Sequence, residues 1–474
     1  MPLSRGMPGP WSISPSLVTS GRVYLNIAGS HSPNHNIAMA SEYRSRSDFN
    51  RLLFKVHIVK ALLQPQLPTG HNELPTACIA LHDNCLPGSC TYSVTNSVSP
   101  QALATLEHLR ASPGQLEAVY ELMIRDLRGK TISPSPIDST NKDRLLGHQN
   151  YETAYMTYYM MQANLLPVSW KDRAVILLLE GPKPLIYGLF GGHGRPLIHL
   201  SDAIELANPI MLSQALTLAS LNYSADIHEV LTHPVLEQQH NDPRDPSFII
   251  DRVSFDGRLS GVMKSGPGFR DVDNIFALRV AKDAIIEYVH QLDVRDPDRL
   301  VRQLSELSST MLSATHKPDQ PAFDYHLGRL PTLINSIRLL LPDLEDPAHK
   351  TILLRGFWLI MLLTYITQLR PVIDPALSHR MLTVDEMETT LATVKQALAG
   401  ARERWADMDF LRALRSLWEL SEAERRRLGT SNEMELYLQT SSELYLRAAL
   451  KLIDHWEKWT GRGEQGEETL NIRI

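Results

Sequence analysis

The stretch from Gly191 to Tyr223, GGHGRPLIHLSDAIELANPIMLSQALTLASLNY, restricts what this chain can fold into more than any other. It sets Arg195, His199, Asp202 and Glu205 among apolar residues, where a charge is costly unless it is paired. Pro196 suits the first turn of a helix, because its missing N–H has no partner to lose there. A helix from that point puts His199 and Asp202 on one face, with Leu197, Ile198, Leu200, Ala203, Ile204 and Leu206 covering most of the rest. A second helix starts near Pro209 and carries Met211, Leu212, Ala215, Leu216, Leu218 and Ala219 as its buried body. Ser213, Gln214, Thr217 and Ser220 form one narrow polar stripe along it. Two helices of this kind fit either a lined pocket or a core hairpin whose few polar groups satisfy one another.

The rest of the chain repeats the helical period. Helices are expected at 168–179, Val272 to Leu292, Pro297 to Ser313, Phe323 to Leu341, Lys350 to Leu369, Val384 to Ala399, Arg404 to Leu420 and Glu433 to Trp459. SPQALATLEHL and SPGQLEAVYELMIRDL each open on Ser-Pro, a cap followed by helix formers. NYETAYMTYYMMQAN, from Asn150, is an aromatic and Met-rich stripe that reads as core. Between Ser224 and Asp271 the pattern fades among Pro, Asp and Gly, and a long surface excursion is expected there. Strand alternation is almost absent and no fixed repeat is evident. The fold class is all-α, a single large multi-helix core with long loops. The expected organisation is a loop-rich, poorly ordered N-terminal segment (1–70), a helical domain (71–460) and a polar tail (461–474).

A hydrophobic fraction of 43% with 21% charged residues places the 474-residue chain among globular proteins. Its net charge of −6 offers no footprint for nucleic acid or anionic lipid. Arg425, Arg426 and Arg427 follow Glu422 and Glu424, as on a solvated helix face. Cys78, Cys85 and Cys90 are too few and too oddly spaced for a disulfide framework or a zinc site, which suits a reducing compartment. The N-terminus lacks the apolar core of a secretory signal. Ile352 to Ile366 is too short to span a bilayer and carries Arg355. A cytoplasmic location with no membrane partner is the expectation.

The familiar chemical motifs are missing. Gly191 to Gly194 has no GxGxxG and no Lys-Ser/Thr pair, so no flavin or NADP fingerprint stands anywhere in the chain. No G-x-S-x-G nucleophile occurs. No His or carboxylate lies four residues from His199, which weakens a metal reading of His193 and His199. Asp324, Tyr325, His326 and Arg329 make a second polar knot. Arg370, before Pro371 and near Asp374, makes a third, with the marks of a structural arginine.

The central block nevertheless resembles that of the questin oxidase-like family. RPLIHLSDAIEL followed by NPIMLSQALTLASLN is similar to that family's HPLIHLGYGIEF and QPAIIAEALAQAAVH. HNELPTA at His71, LRASPGQLEAVYE, LGHQNYETAYMTYY, FDYHLGRLPTLINS and the late helix ending at Arg370-Pro371 resemble further family segments in order. The family comprises fungal tailoring enzymes that open anthraquinone rings by Baeyer–Villiger-type oxygen insertion. The resemblance implies an O2-dependent monooxygenase acting on an aromatic polyketide. NADPH would be used directly or through a partner reductase.

Departures from the family pattern shape the expected site. Arg195, Asn222 and Arg329 stand where relatives carry His, while His199 and Glu205 are kept. Some relatives are iron enzymes using histidines and a carboxylated lysine on the late helix. No Lys lies between Thr351 and Leu369 here, and Phe357 falls at about that place, so iron is disfavoured. On the resemblance, His199 is the candidate base, oriented by Asp202 or Glu205, with Arg195 and Arg329 as anion stabilisers and His71 contributing to catalysis. Asn222, Asp324, His326, Phe357 and Arg370 are the candidate substrate contacts. The cysteine-bearing piece after His71 (78–104) reads as an insertion or as retained non-coding sequence. The alternative function is a degenerate family member that binds polyketides without chemistry.

Overall fold

A helix that is apolar on every face belongs in a core, and Pro347–Thr367 is such a helix: every residue from Phe357 to Thr367 is buried. It is the one described helix long and apolar enough to cross a membrane, yet 78% of its apolar window is buried inside the fold. Neighbouring helices cover it. The computed structural model describes residues 132–165, 170–238, 240–263, 272–317, 321–378, 408–428 and 432–455, with isolated positions at 103–106, 116, 268, 389–390, 392–394, 396 and 459–460. All of them fall in one compact unit, Phe54–Ile474. The segment 1–70, His71, the three cysteines, most of 384–399 and the tail 461–474 lie outside the described residues.

The described helices are α1 (Glu152–Leu165), α2 (Trp170–Leu179), α3 (Arg195–Glu205), α4 (Pro209–Leu221), α5 (Ala225–Leu231), α6 (Pro246–Phe255) and α7 (Val272–Ala277). They continue with α8 (Arg279–His290), α9 (Pro297–Ser313), α10 (Leu330–Leu340), α11 (Pro347–Thr367), α12 (Met408–Leu428) and α13 (Asn432–His455). The only described strands, β1 (Phe323–Asp324) and β2 (Trp459–Thr460), pair in parallel over two residues. The fold is all-α. Three starts share one local device, an Asn or Asp cap followed by proline. Asn208 accepts from the amides of Ile210 and Met211, Asp296 from Arg299, and Asp346 from Ala348.

α3 packs on α4 and α10; α10 packs on α9 and α12; α12 lies along α13. Between α1 and α4, Tyr159 shares a hydrogen bond of 2.8 Å with Ser220, and Tyr155 bonds the carbonyl of Lys142 at 2.6 Å. In the polar stripe of α4, Ser213, Thr217 and Ser220 each bond a carbonyl one turn back, while the buried Oε1 of Gln214 has no hydrogen-bond partner among the described residues. The hydroxyls of α4 follow the core-hairpin alternative.

Four expectations are corrected. The described residues between 224 and 263 are no surface excursion: α5 and α6 bury Val230, Ile249, Ile250 and Val253. These helices are only seven and ten residues long, too short for a period to emerge. The helix expected from Val272 to Leu292 breaks at Leu278, whose extended backbone starts α8. The helix expected from Phe323 begins only at Leu330, because Phe323 and Asp324 pair with β2 and Asp324 caps the following turn. The helix expected over 404–420 continues to Leu428, its extra turns tied by Arg425–Glu422 and Arg427–Glu424 pairs at 2.8 and 2.6 Å.

Candidate active site

The run GGHG serves close packing. A Cβ on Gly191 would strike the backbone carbonyl of Asn222, so only glycine lets the loop pass the end of α4. His193 then takes a left-handed backbone, φ 56, and Gly194 follows at φ 70 against Leu333. With Gly192 at φ 55, three consecutive left-handed residues turn the chain sharply into α3. The His193 ring is buried, with Nε2 3.0 Å from Thr364 Oγ1 and Nδ1 3.3 Å from Nδ1 of His326.

In front of this turn lies a cavity of ≈ 390 Å³. One wall is Gly192, Arg195 and Ile198, at the start of α3, with Asn222 from the end of α4. Tyr325, Gly328, Arg329 and Thr332 come from the turn into α10, and Asp409 and Arg412 from α12. Three guanidiniums thus face one space, with Asp409 the only carboxylate on its wall among the described residues. Arg329 bonds the Tyr325 hydroxyl at 2.6 Å, stacks over that ring at 4.8 Å, and lies 3.7 Å from Asp409. Burial, then Arg329 and Arg412, lower Arg195 to about 10. Burial also lowers Arg412, against the pull of Asp202 and Asp409. Such a cavity suits an anion with an apolar body. A larger groove, ≈ 620 Å³, opens between α9, α10 and α12, but it is a surface depression with no part in the central block.

Behind the wall are the other charges of α3. His199 has no exposed surface, and both ring nitrogens lack a hydrogen-bond partner among the described residues. Burial, followed by Arg195 and Arg412, holds its imidazolium well below the usual range. Asp202 is raised to about 6 by burial, with Arg412 and Arg415 opposing. Glu205 receives two hydrogen bonds from Arg415, at 2.9 and 2.8 Å, and Arg415 also reaches Glu419 at 2.6 Å. Asn335 completes that cluster through Glu419 at 2.6 Å.

The structure therefore divides the residues singled out in the sequence. Arg195, Asn222 and Arg329 share the cavity wall, and His326 adjoins it. His199, Asp202 and Glu205 do not reach the wall. Asp324 is buried and accepts from the amides of His326 and Leu327, at 2.8 and 2.7 Å, which fixes the turn. Phe357 is sealed in α11. Arg370 bonds the carbonyls of Val253 and Asp256, at 3.1 and 2.7 Å, away from the cavity. His71 lies outside the described residues.

The questin oxidase-like family matches residues 98–417, more than half of the chain. This chain belongs to that family. No curated protein matches it. Every cavity-lining residue, from Gly192 to Arg412, falls within the span shared with the questin oxidase-like family. Membership supports an oxidoreductase of polyketide pathways.

Among the described residues no three His, Cys, Asp or Glu side chains gather as a metal donor set. Arg195 and Arg412 bring positive charge to the one histidine that the sequence favoured, which repels a cation. Sequence reasoning missed Asp409 and Arg412. Both sit on an amphipathic helix, where charged residues at helical spacing usually mark a solvated face. Only the three-dimensional packing of α12 turns them inward.

Proposed function

We propose that this questin oxidase-like protein is an O2-dependent monooxygenase that inserts oxygen beside a carbonyl of an anthraquinone-type polyketide and opens the ring. The observation that carries this reading is the convergence of Arg195, Arg329 and Arg412 on one cavity within the family's matched span. A phenolic substrate must lose a proton to become a good reductant of O2, and guanidiniums favour the phenolate that results. They also favour the peroxide that forms next.

The stoichiometry closes without a flavin. A hydroquinone gives two electrons to one O2, one oxygen atom enters the ring and the other leaves as water. NADPH would regenerate the hydroquinone from a quinone, directly or through a partner reductase. The test is aerobic incubation of the metal-analysed protein with dithionite-reduced emodin, followed by mass spectrometry. The expected products are the inserted lactone, heavier than emodin by one oxygen atom, and the ring-opened acid that water makes from it, heavier by one oxygen atom and one water. Their yield falls roughly 100-fold in Arg329→Gln, as when one charge-stabilising donor is removed.

A second reading rests on Arg195, Asn222 and Arg329 standing where relatives carry His: a polyketide-binding protein without turnover. Emodin that binds and comes back unchanged selects it.

A further inference from the structure

An ionised carboxylate only accepts hydrogen bonds, at about four lone-pair sites, and within a fold those sites are normally filled. Asp409 makes no hydrogen bond among the described residues. Its ionic partner, Arg329 Nε, stands 3.7 Å away, beyond the about 2.7–2.9 Å of a charge-assisted bond. Arg329 makes its short bond to the Tyr325 hydroxyl instead, at 2.6 Å.

The position of Asp409 is fixed by its neighbours. It stands in the first turn of α12, between Met408 and Phe410, with Leu411 following, and all three of these are buried. α12 packs in turn on α10 and on the turn Leu327–Arg329. The Asp409 side chain keeps 27% of its surface exposed and lines the cavity. Hydrogen donors face the same space. Besides Arg329 there is Thr332, whose Oγ1 takes a hydrogen from Ser416 at 3.3 Å and whose own hydrogen has no acceptor among the described residues. The two kinds of group select opposite features in a ligand. Guanidinium and hydroxyl hydrogens suit a carbonyl or phenolate oxygen, whereas Asp409 repels an oxyanion and suits an O–H donor.

We propose that Asp409 is a specificity-determining residue that accepts the hydrogen of a neutral phenolic hydroxyl, so that the site selects aromatics bearing such a hydroxyl apart from the oxygen that faces the guanidiniums. A hydroxyl beside a quinone carbonyl already donates to that carbonyl and gains little from a second acceptor. The hydroxyl selected is therefore one without a carbonyl neighbour. The aromatic class rests on the oxygenase reading; the selection of the hydroxyl is independent of the O2 step.

Emodin and chrysophanol test the assignment, because chrysophanol is emodin without its one hydroxyl remote from the carbonyls. Equilibrium titration below the ionisation of emodin keeps ligand charge out of the comparison. Wild type is expected to bind emodin roughly 10- to 150-fold more tightly than chrysophanol, the range of a hydrogen bond to a charged group. Asp409→Ala should bring the two affinities within about threefold of each other. Asp409→Asn keeps an acceptor oxygen without the charge and should retain a preference of roughly 2- to 10-fold. Were Asp409 only holding Arg329, both affinities would fall together and the wild-type ratio would survive in the variants. That result, or equal affinities in wild type, overturns the assignment. The asparagine variant has the shape of the native residue and carries the test by itself if the alanine variant does not fold. Emodin that is preferred through Asp409 yet gains no oxygen after reduction supports the assignment and sinks the oxygenase reading alone.

Discussion

A buried carboxyl records its surroundings in its proton affinity, and Asp202 is raised from 3.8 to about 6 by burial. The folded protein thus holds this proton more tightly than the unfolded chain does. The stability it contributes is complete below the unfolded value and is lost as pH rises through the folded one. Asp202→Asn keeps a neutral side chain at every pH. Its stability should gain on wild type between pH 3.8 and about 6 and then level off, by at most about 3 kcal/mol. Urea unfolding across that range checks this, and a pH-independent difference would contradict it. His199 gives a second residue-scale expectation. Its neutral ring has no partner among the described residues, so His199→Leu should hold or raise the melting temperature, because an unsatisfied polar group is removed. Turnover of reduced emodin should survive as well, in keeping with the absence of His199 from the cavity wall. Its loss in a folded variant would restore His199 as the base.

The junction before α3 sets one wall of the cavity, and its tolerance is set by Gly191. Alanine there has an allowed φ, −70, but its Cβ meets the Asn222 carbonyl, so backbone must move on one side. Gly191→Ala should cost about 3 kcal/mol, the upper range for overpacking, and should weaken emodin binding by shifting Gly192 and Asn222. Chemical denaturation and fluorescence titration read the two effects. At this scale much was legible. Pro196, Pro209 and Pro297 mark helix starts through chemistry local to the sequence, whereas the helix expected from Lys350 starts three residues earlier, at Pro347. The long helix α9 also shows its period. What failed was short or tertiary. α5 and α6 span too few turns to show a pattern, and β1 exists because Trp459–Thr460 lies beside it, more than a hundred residues on. Glycine likewise signals a special backbone without saying whether a phosphate or a neighbouring carbonyl requires it.

At the scale of the molecule, the cavity exists because α12 is docked against α3 and α10. Arg195 and Arg329 could be read in the sequence since polar residues beside apolar helical text are conspicuous, and Asn222 through its place in the family resemblance. Arg412 and Asp409 could not, because α12 carries arginines and glutamates along its whole length and the sequence does not say which face turns inward. The tie that settles this is Glu205, which holds Arg415 across 210 residues of sequence, with both side chains largely buried. Two substitutions separate assembly from recognition. Glu205→Ala leaves Arg415 with Glu419 alone and should cost on the order of 2–3 kcal/mol, below the usual penalty for a fully orphaned buried charge. Because it loosens the docking of α12, emodin affinity should fall along with stability, and a stabilising osmolyte should restore both. Arg412→Gln removes a wall charge instead. Its affinity for the emodin phenolate should fall roughly tenfold or more and stay low in the osmolyte, while its stability changes little, since relief from burying the charge offsets what it gives Asp202 and Asp409. Equal osmolyte rescue of both variants would mean that Arg412 supports the fold and leaves the ligand to Arg195 and Arg329.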